Sequence, residues 1–217
     1  MSETQTLRSR LRAQKVFGGE LPKFDTDVAP GAPLPLLVEW LEAAMDAGVV
    51  QPHAMALATV SGDGDVSNRT LLMKDVDSDA VWFASLDNGP KGQDIRENPR
   101  VALALYWREQ GRQVRIVGHA SEGPRATSEK DFRERHPNAR AMAIAAKQSE
   151  PIENYAERVD AARQRIEDDP DFVPQSWTAY RVVPESIEFW QAERERDQVR
   201  LRYRRVGDGW EKDLLWP

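Results

Sequence analysis

A chain of 217 residues is long enough to bury a substantial core as one domain. Its 30 Lys and Arg against 36 Asp and Glu give a formal net charge of -6, which argues against a general nucleic-acid binder. Cysteine is absent, so disulfides, thiolate metal sites and a cysteine nucleophile are all excluded. The start, MSETQTLRSRLRAQKVFGG, lacks the apolar run of a signal peptide, and no later stretch has the length of a membrane span; cytoplasmic residence is the expectation.

Residues 1–32 are polar and then rich in Gly and Pro, and read as a mobile arm that packs as irregular chain; residues 33–217 read as a single domain. Leu36, Leu37, Trp40, Leu41, Ala44 and Met45 fall on one helical face, with Gly48 placed to stop the helix. A β-rich block follows, in which 54–60 and 66–73 flank a Ser61-Gly62-Asp63-Gly64 turn, and 80–85, 101–107 and 114–120 continue as strands. Lys91 to Asn98 is expected to be a short helix closed by Pro99. Further on, Ser128 and Asp131 suggest a capped helix, 139–147 has strong helix propensity, and Ile152, Tyr155, Val159, Ala162 and Ile166 form an amphipathic stripe. Strand returns at 178–190, 199–206 and 210–215, with Gly207-Asp208-Gly209 as the last hairpin turn. Hairpins outnumber crossovers, so the fold class is α+β, an antiparallel barrel with peripheral helices.

The chemistry concentrates in a few segments. In the last third, Arg200, Arg202 and Arg204 share one face of an extended strand. Arginine binds phosphate through parallel charge-assisted bonds, and Phe189 and Trp190 offer a flat apolar wall for a ring; the plainer alternative is a solvated basic face on an edge strand. Arg69 and Lys74 bracket an apolar strand but have opposite parity, and they converge on one ligand only if Lys74 sits past the strand end or at a bulge. Lys91-Gly92 opens a helix beside free backbone N–H groups, a favourable place for an anion. Gln113 and Gln148-Ser149 stand at element boundaries, where an amide suits the edge of a heteroaromatic ring. His53, His119 and His136 lack metal-ligand spacing, and no metal is expected. Both Gly-Asp-Gly triplets read as turns rather than phosphate loops.

Taken in order, RTLLMK, PKG, RQVRIVG, the KQS after a helix, and IEFWQ followed by the arginine-rich strand resemble the pyridoxamine 5'-phosphate oxidase family of flavoproteins, from roughly Phe24 to Pro217. The resemblance implies the FMN-binding split β-barrel, a homodimer with two FMN sites at its interface. It implies that Arg69, Thr70, Leu71, Leu72, Met73 and Lys74 meet FMN, together with Ala84, Ser85, Lys91, Gln113, Gln148, Ser149, Trp190 and Arg200. Ala84 replaces a family tyrosine and Pro90 a family arginine. On the substrate side the resemblance implies Lys74, Asp131, Arg135, Ala139, Arg196 and Gln198, with Arg196 and Gln198 at the reacting carbon. Here Asp131 stands for a tyrosine, Ala139 for a serine and Gln198 for a histidine, and a carboxylate beside a phosphate dianion is unfavourable unless it points away or the substrate differs.

The activity so implied is oxidation of pyridoxamine or pyridoxine 5'-phosphate to pyridoxal 5'-phosphate, with O2 as acceptor and H2O2 as product. The competing readings are a related flavin-dependent oxidase of another ring, of the phenazine-biosynthesis type, and a noncatalytic flavin or pyridoxal-phosphate carrier. Neither a nucleic-acid nor a membrane partner is expected.

Overall fold

The computed structural model describes residues 6–17, 20–193 and 198–217. Its strands are β1 (Ala54–Val60), β2 (Val66–Val76), β3 (Val81–Leu86), β4 (Arg100–Trp107), β5 (Arg112–Glu122), β6 (Trp177–Ala192), β7 (Gln198–Val206) and β8 (Gly209–Leu214). The helices among the described residues are α1 (Leu7–Arg12), α2 (Pro33–Asp46), α3 (Pro90–Glu97), α4 (Arg125–Glu134), α5 (Pro137–Ala145) and α6 (Tyr155–Asp168).

All strand pairs are antiparallel, in the order β3-β2-β1-β4-β5-β6-β7-β8, and an added β3–β6 pairing closes the first six strands into a barrel. Closure depends on the length of β6, whose Trp177–Val182 stretch pairs β3 while Ser186–Ala192 pairs β7. Opposite its middle, β5 shifts register between Val117 and Gly118. A Cβ on Gly118 would lie 2.2 Å from the Val183 carbonyl oxygen, so only glycine admits this approach.

Alternation sets the barrel interior. Met55 and Leu57 of β1, Leu103 and Leu105 of β4, and Val114 and Ile116 of β5 point inward and are almost fully buried. Proline at the first position pre-sets φ for α2, and its Leu36, Leu37, Trp40 and Ala44 face the barrel. Trp40 meets Phe24 and Phe189 edge-on, at centroid distances of 4.8 and 5.1 Å. Burying an aromatic of this size contributes roughly 1.5–3 kcal/mol.

Three sequence expectations change. Phe189 does not join Trp190 in a wall; adjacent strand residues face opposite ways, and Phe189 is a core residue packed on Trp40 and Tyr203. Ser128 does not cap a helix, because α4 already starts at Arg125 after Pro124, and the Ser128 hydroxyl instead accepts from the Ala179 N–H at 2.9 Å. The arginine strand is not an edge, since β8 covers it, with Arg202 on Asp213 and Arg204 on Glu211, both at 2.9 Å. Within the arm, α1 is helical from Leu7, and the arm's end is tied down where Tyr203 Oη donates to the Pro30 carbonyl at 2.7 Å. The Gly-Asp-Gly segments are turns, with positive φ at Gly64 and Gly207.

Candidate functional site

The first cation cluster gathers where β2, β3 and α3 meet. Lys91 is buried, 7% exposed, and its Nζ donates to Ser85 Oγ at 2.7 Å and to Gln148 Oε1. Both partners are neutral, and burial, followed by the repulsion of nearby Arg69, pushes the Lys91 ammonium down to about 8. Arg69 donates to Thr59 Oγ1 at 2.7 Å, and Thr59 in turn donates to Asp94 Oδ2 at 2.6 Å. Asp94 is 4.0 Å from the guanidinium, and desolvation still lowers the Arg69 pKa more than Asp94 restores it. Two glycines make the arrangement possible. A Cβ on Gly89 would meet Gln148 Oε1 at 2.5 Å, and one on Gly92 would meet the Asp87 carbonyl at 2.1 Å. A buried lysine held by neutral groups, at a helix N-terminus and beside a second cation, is a site for an anion.

The second cluster lies further along β2. The strand shifts register between Met73 and Asp75, so Lys74 sits at an irregularity, one of the two placements that convergence with Arg69 needed, but it turns away from the Arg69 cluster. Lys74 turns to α4 and pairs with Asp131 at 3.0 Å, and Asp131 accepts from Trp177 Nε1 at 2.9 Å. The Arg135 guanidinium stacks 4.2 Å from the centroid of that same Trp177 ring and donates to the Ala139 carbonyl at 3.4 Å. Burial lowers the Arg135 pKa, partly offset by Asp131, and its Nε is buried without a partner. Beside this cluster is a cavity of about 290 Å³ lined by Lys74, Asp131, Trp82, Ala84 and Ala179; a larger side chain at position 84 would occupy part of it.

The remaining assigned residues form a cross-strand row. Gln113 opposes Trp190, and Trp190 opposes Arg200, so all three project from the outer barrel face, opposite to Val114, Phe189 and Leu201. Trp190 Nε1 donates to Gln198 Oε1. Arg200 donates to Glu188 Oε1 through Nε at 2.9 Å and Nη2 at 2.8 Å. Along β2, Leu71 and Met73 turn toward the core while Thr70 and Leu72 face outward, so a ligand on the outer face meets side chains of the second pair only. Ser149, with a left-handed φ of 71°, lies past the end of α5 beside Gln148. Arg196 lies outside the described residues.

One chain thus brings together Arg69, Ser85, Lys91 and Gln148, and separately Lys74, Asp131, Arg135 and Ala139. Among the described residues no hydrogen bond or ion pair joins either group to the Gln113, Trp190 and Arg200 row. Sequence reasoning missed Thr59, Asp94, Trp177 and Glu188. Thr59 carried a signal, a hydroxyl at inward parity in AMALATV; the others act through long-range partners that no local pattern displays.

An antiparallel barrel closed by six strands, with peripheral helices and cation clusters along one strand, defines the split-barrel class. A solved FMN-binding, pyridoxamine 5'-phosphate oxidase-related protein from Nostoc punctiforme shares this fold at TM-score 0.73 and 18% identity, covering 87% of this chain and all of that one. Residues 41–173 match the family model described as pyridoxamine 5'-phosphate oxidase, and residues 177–217 match the pyridoxine 5'-phosphate oxidase C-terminal dimerisation region. The chain belongs to the pyridoxamine 5'-phosphate oxidase family. It is 40% identical over 194 residues to the pyridoxine/pyridoxamine 5'-phosphate oxidase of Rubrobacter xylanophilus, covering 88% of this chain and 89% of the relative. The Gluconobacter oxydans protein of the same name is 36% identical over 201 residues, covering 91% and 99%. PhzG from Burkholderia lata, solved in complex with tetrahydrophenazine-1-carboxylic acid, superposes at TM-score 0.84 with 32% identity, covering 92% of this chain and all of that one. Among the described residues no helix is long and apolar enough to cross a membrane.

Proposed function

We propose that this protein is an FMN-dependent oxidase of a small ring substrate bearing an anionic arm, and that it works as a homodimer. The observation that carries the cofactor assignment is the buried Lys91, hydrogen-bonded among the described residues to neutral Ser85 and Gln148 and set beside Arg69. A terminal phosphate would supply the missing counter-charge there. Among the described residues no hydrogen bond or ion pair joins the Gln113, Trp190 and Arg200 row to the Lys91 cluster, which is consistent with a flavin site completed between two copies, as is the match to a dimerisation region.

A bound FMN would supply the two-electron chemistry, accepting a hydride from the substrate carbon, with O2 as final acceptor and hydrogen peroxide as product. The chain's own residues bind and orient. Lys91 and Arg69 hold the cofactor phosphate, Trp190 offers an indole face, and Lys74 and Arg135 receive the anionic arm of the substrate. Arg196 and Gln198 are proposed to flank the reacting carbon, and Gln198 is oriented by its bond from Trp190.

For the substrate, the names of the relatives support pyridoxamine or pyridoxine 5'-phosphate, giving pyridoxal 5'-phosphate. A ring carboxylate is the second reading, favoured by Asp131 on Lys74. Anaerobic mixing of the flavin-loaded protein with pyridoxamine 5'-phosphate tests the first reading: bleaching of the flavin, and peroxide on admitting O2, are expected. A protein that releases no FMN on denaturation would refute the oxidase assignment altogether.

A further inference from the structure

We infer that Asp131 is a specificity-determining residue that tunes the Lys74–Arg135 clamp to a singly charged anionic arm, a ring carboxylate, in preference to a phosphate dianion. This rests on the flavin-oxidase reading above and names the substrate class of the same site. Asp131 does not point away from the clamp. Its Oδ1 is 3.0 Å from Lys74 Nζ, while its Oδ2 accepts from Trp177 Nε1 at 2.9 Å, which fixes the carboxylate on that lysine. Its side chain is 16% exposed and that of Lys74 34%, so the pair is only partly screened by solvent.

The surroundings reinforce the pairing. The cavity carries Lys74 and Lys130 against Asp75, Asp77, Asp131 and Glu134, two cations facing four carboxylates. Glu134 lies 3.9 Å from Lys130, and Asp77 accepts from Trp82 Nε1 at 2.6 Å, leaving Lys74 as the cation turned to the clamp. Arg135, outside that lining, adds one further positive charge over Trp177. With Arg135 the cavity sets three cations against four carboxylates, a net charge of -1, so each further negative charge on the arm is disfavoured, and a phosphate dianion more than a carboxylate. Ala139 offers no hydroxyl for an additional phosphate oxygen.

The test uses the FMN-loaded protein above pH about 7, where a phosphomonoester is largely a dianion, and two unreactive ligands with one ring system, 1-naphthoate and 1-naphthyl phosphate. Flavin content, measured first, reports on the oxidase reading by itself; the ratio of the two affinities by calorimetry reports on Asp131. Wild type should prefer the carboxylate, and Asp131→Asn, which keeps an acceptor for Trp177, should raise phosphate affinity on the order of tenfold and carboxylate affinity only about threefold, so that their ratio shifts. Should that variant not fold, Lys74→Met reads the pairing from the other side and should weaken the phosphate ligand more than the carboxylate. A wild type that binds the phosphate more tightly, or a ratio that neither substitution moves, overturns the inference.

Discussion

Two lysines, Lys91 and Lys74, stand in the two cation clusters, and their surroundings treat them in opposite ways. Lys91 is buried, has neutral hydrogen-bond partners among the described residues and lies near a second cation, so its charge is left without a counter-ion there. Lys74 is more exposed and is already matched by Asp131 at 3.0 Å. Equal side chains thus carry unequal availability for an anion, and the difference lies in the acceptors around them. On the proposed reading, the Lys91 end has the electrostatics of a phosphate site, while the Lys74 end is already partly neutralised.

The largest effect that would sharpen this contrast is expected at Lys91. Lys91→Met should weaken FMN binding by about 1.5–3 kcal/mol, the range for a charge-assisted hydrogen bond, read by flavin fluorescence quenching. The apo protein should not lose stability in parallel, because the substitution also removes a desolvated charge. Unchanged FMN affinity would place the phosphate elsewhere.

The same lysine predicts a pH dependence. Its pKa falls from 10.5 to about 8 in the folded chain, so between these values the unfolded chain binds more protons than the folded one. Apo stability should therefore rise with pH across that window, by the part that Lys91 contributes. FMN affinity should move the other way, falling as pH rises through about 8 and the ammonium is lost. Lys91→Met should flatten both profiles, and an equally steep pair in the variant would assign them to another group.

A smaller effect is expected on the outer face. Arg200→Ala leaves the Glu188 carboxylate with Arg115 at 3.6 Å as its remaining ion pair among the described residues, and should cost roughly 1–3 kcal/mol of stability, with weaker flavin binding. Adding Glu188→Gln should recover part of the stability but none of the flavin affinity, checked by thermal denaturation and FMN titration side by side. Recovery of both would reduce Arg200 to a structural role. The smallest change is expected from Gln198→His, which restores a group able to titrate near neutrality and should keep or raise the rate of flavin reduction by pyridoxamine 5'-phosphate in stopped flow. A large loss would mean that the Trp190–Gln198 bond is needed to shape the site.

Much of this architecture was legible in the chain itself. Alternation in AMALATV and RVALALYW, and glycine-marked turns at 62–64 and 207–209, placed the strands, because side-chain period and positive φ are local properties. The opposite parity of Arg69 and Lys74 left either a bulge or a strand end at Lys74 as the condition for convergence; the register does shift there, yet the two cations turn to different partners, Thr59 and Asp131. Segment order was enough to identify the family. What only the tertiary structure decided were the partners of the charges: Thr59 on Arg69, Gln148 on Lys91, Asp131 on Lys74 and Glu188 on Arg200. Each pair joins residues that are remote in the chain, from 10 to 57 positions apart where β2 and α3 are concerned. Whether a cation is free for a ligand or already neutralised depends on the dielectric and the acceptor within a few ångströms, and strand pairing together with helix packing brings those together.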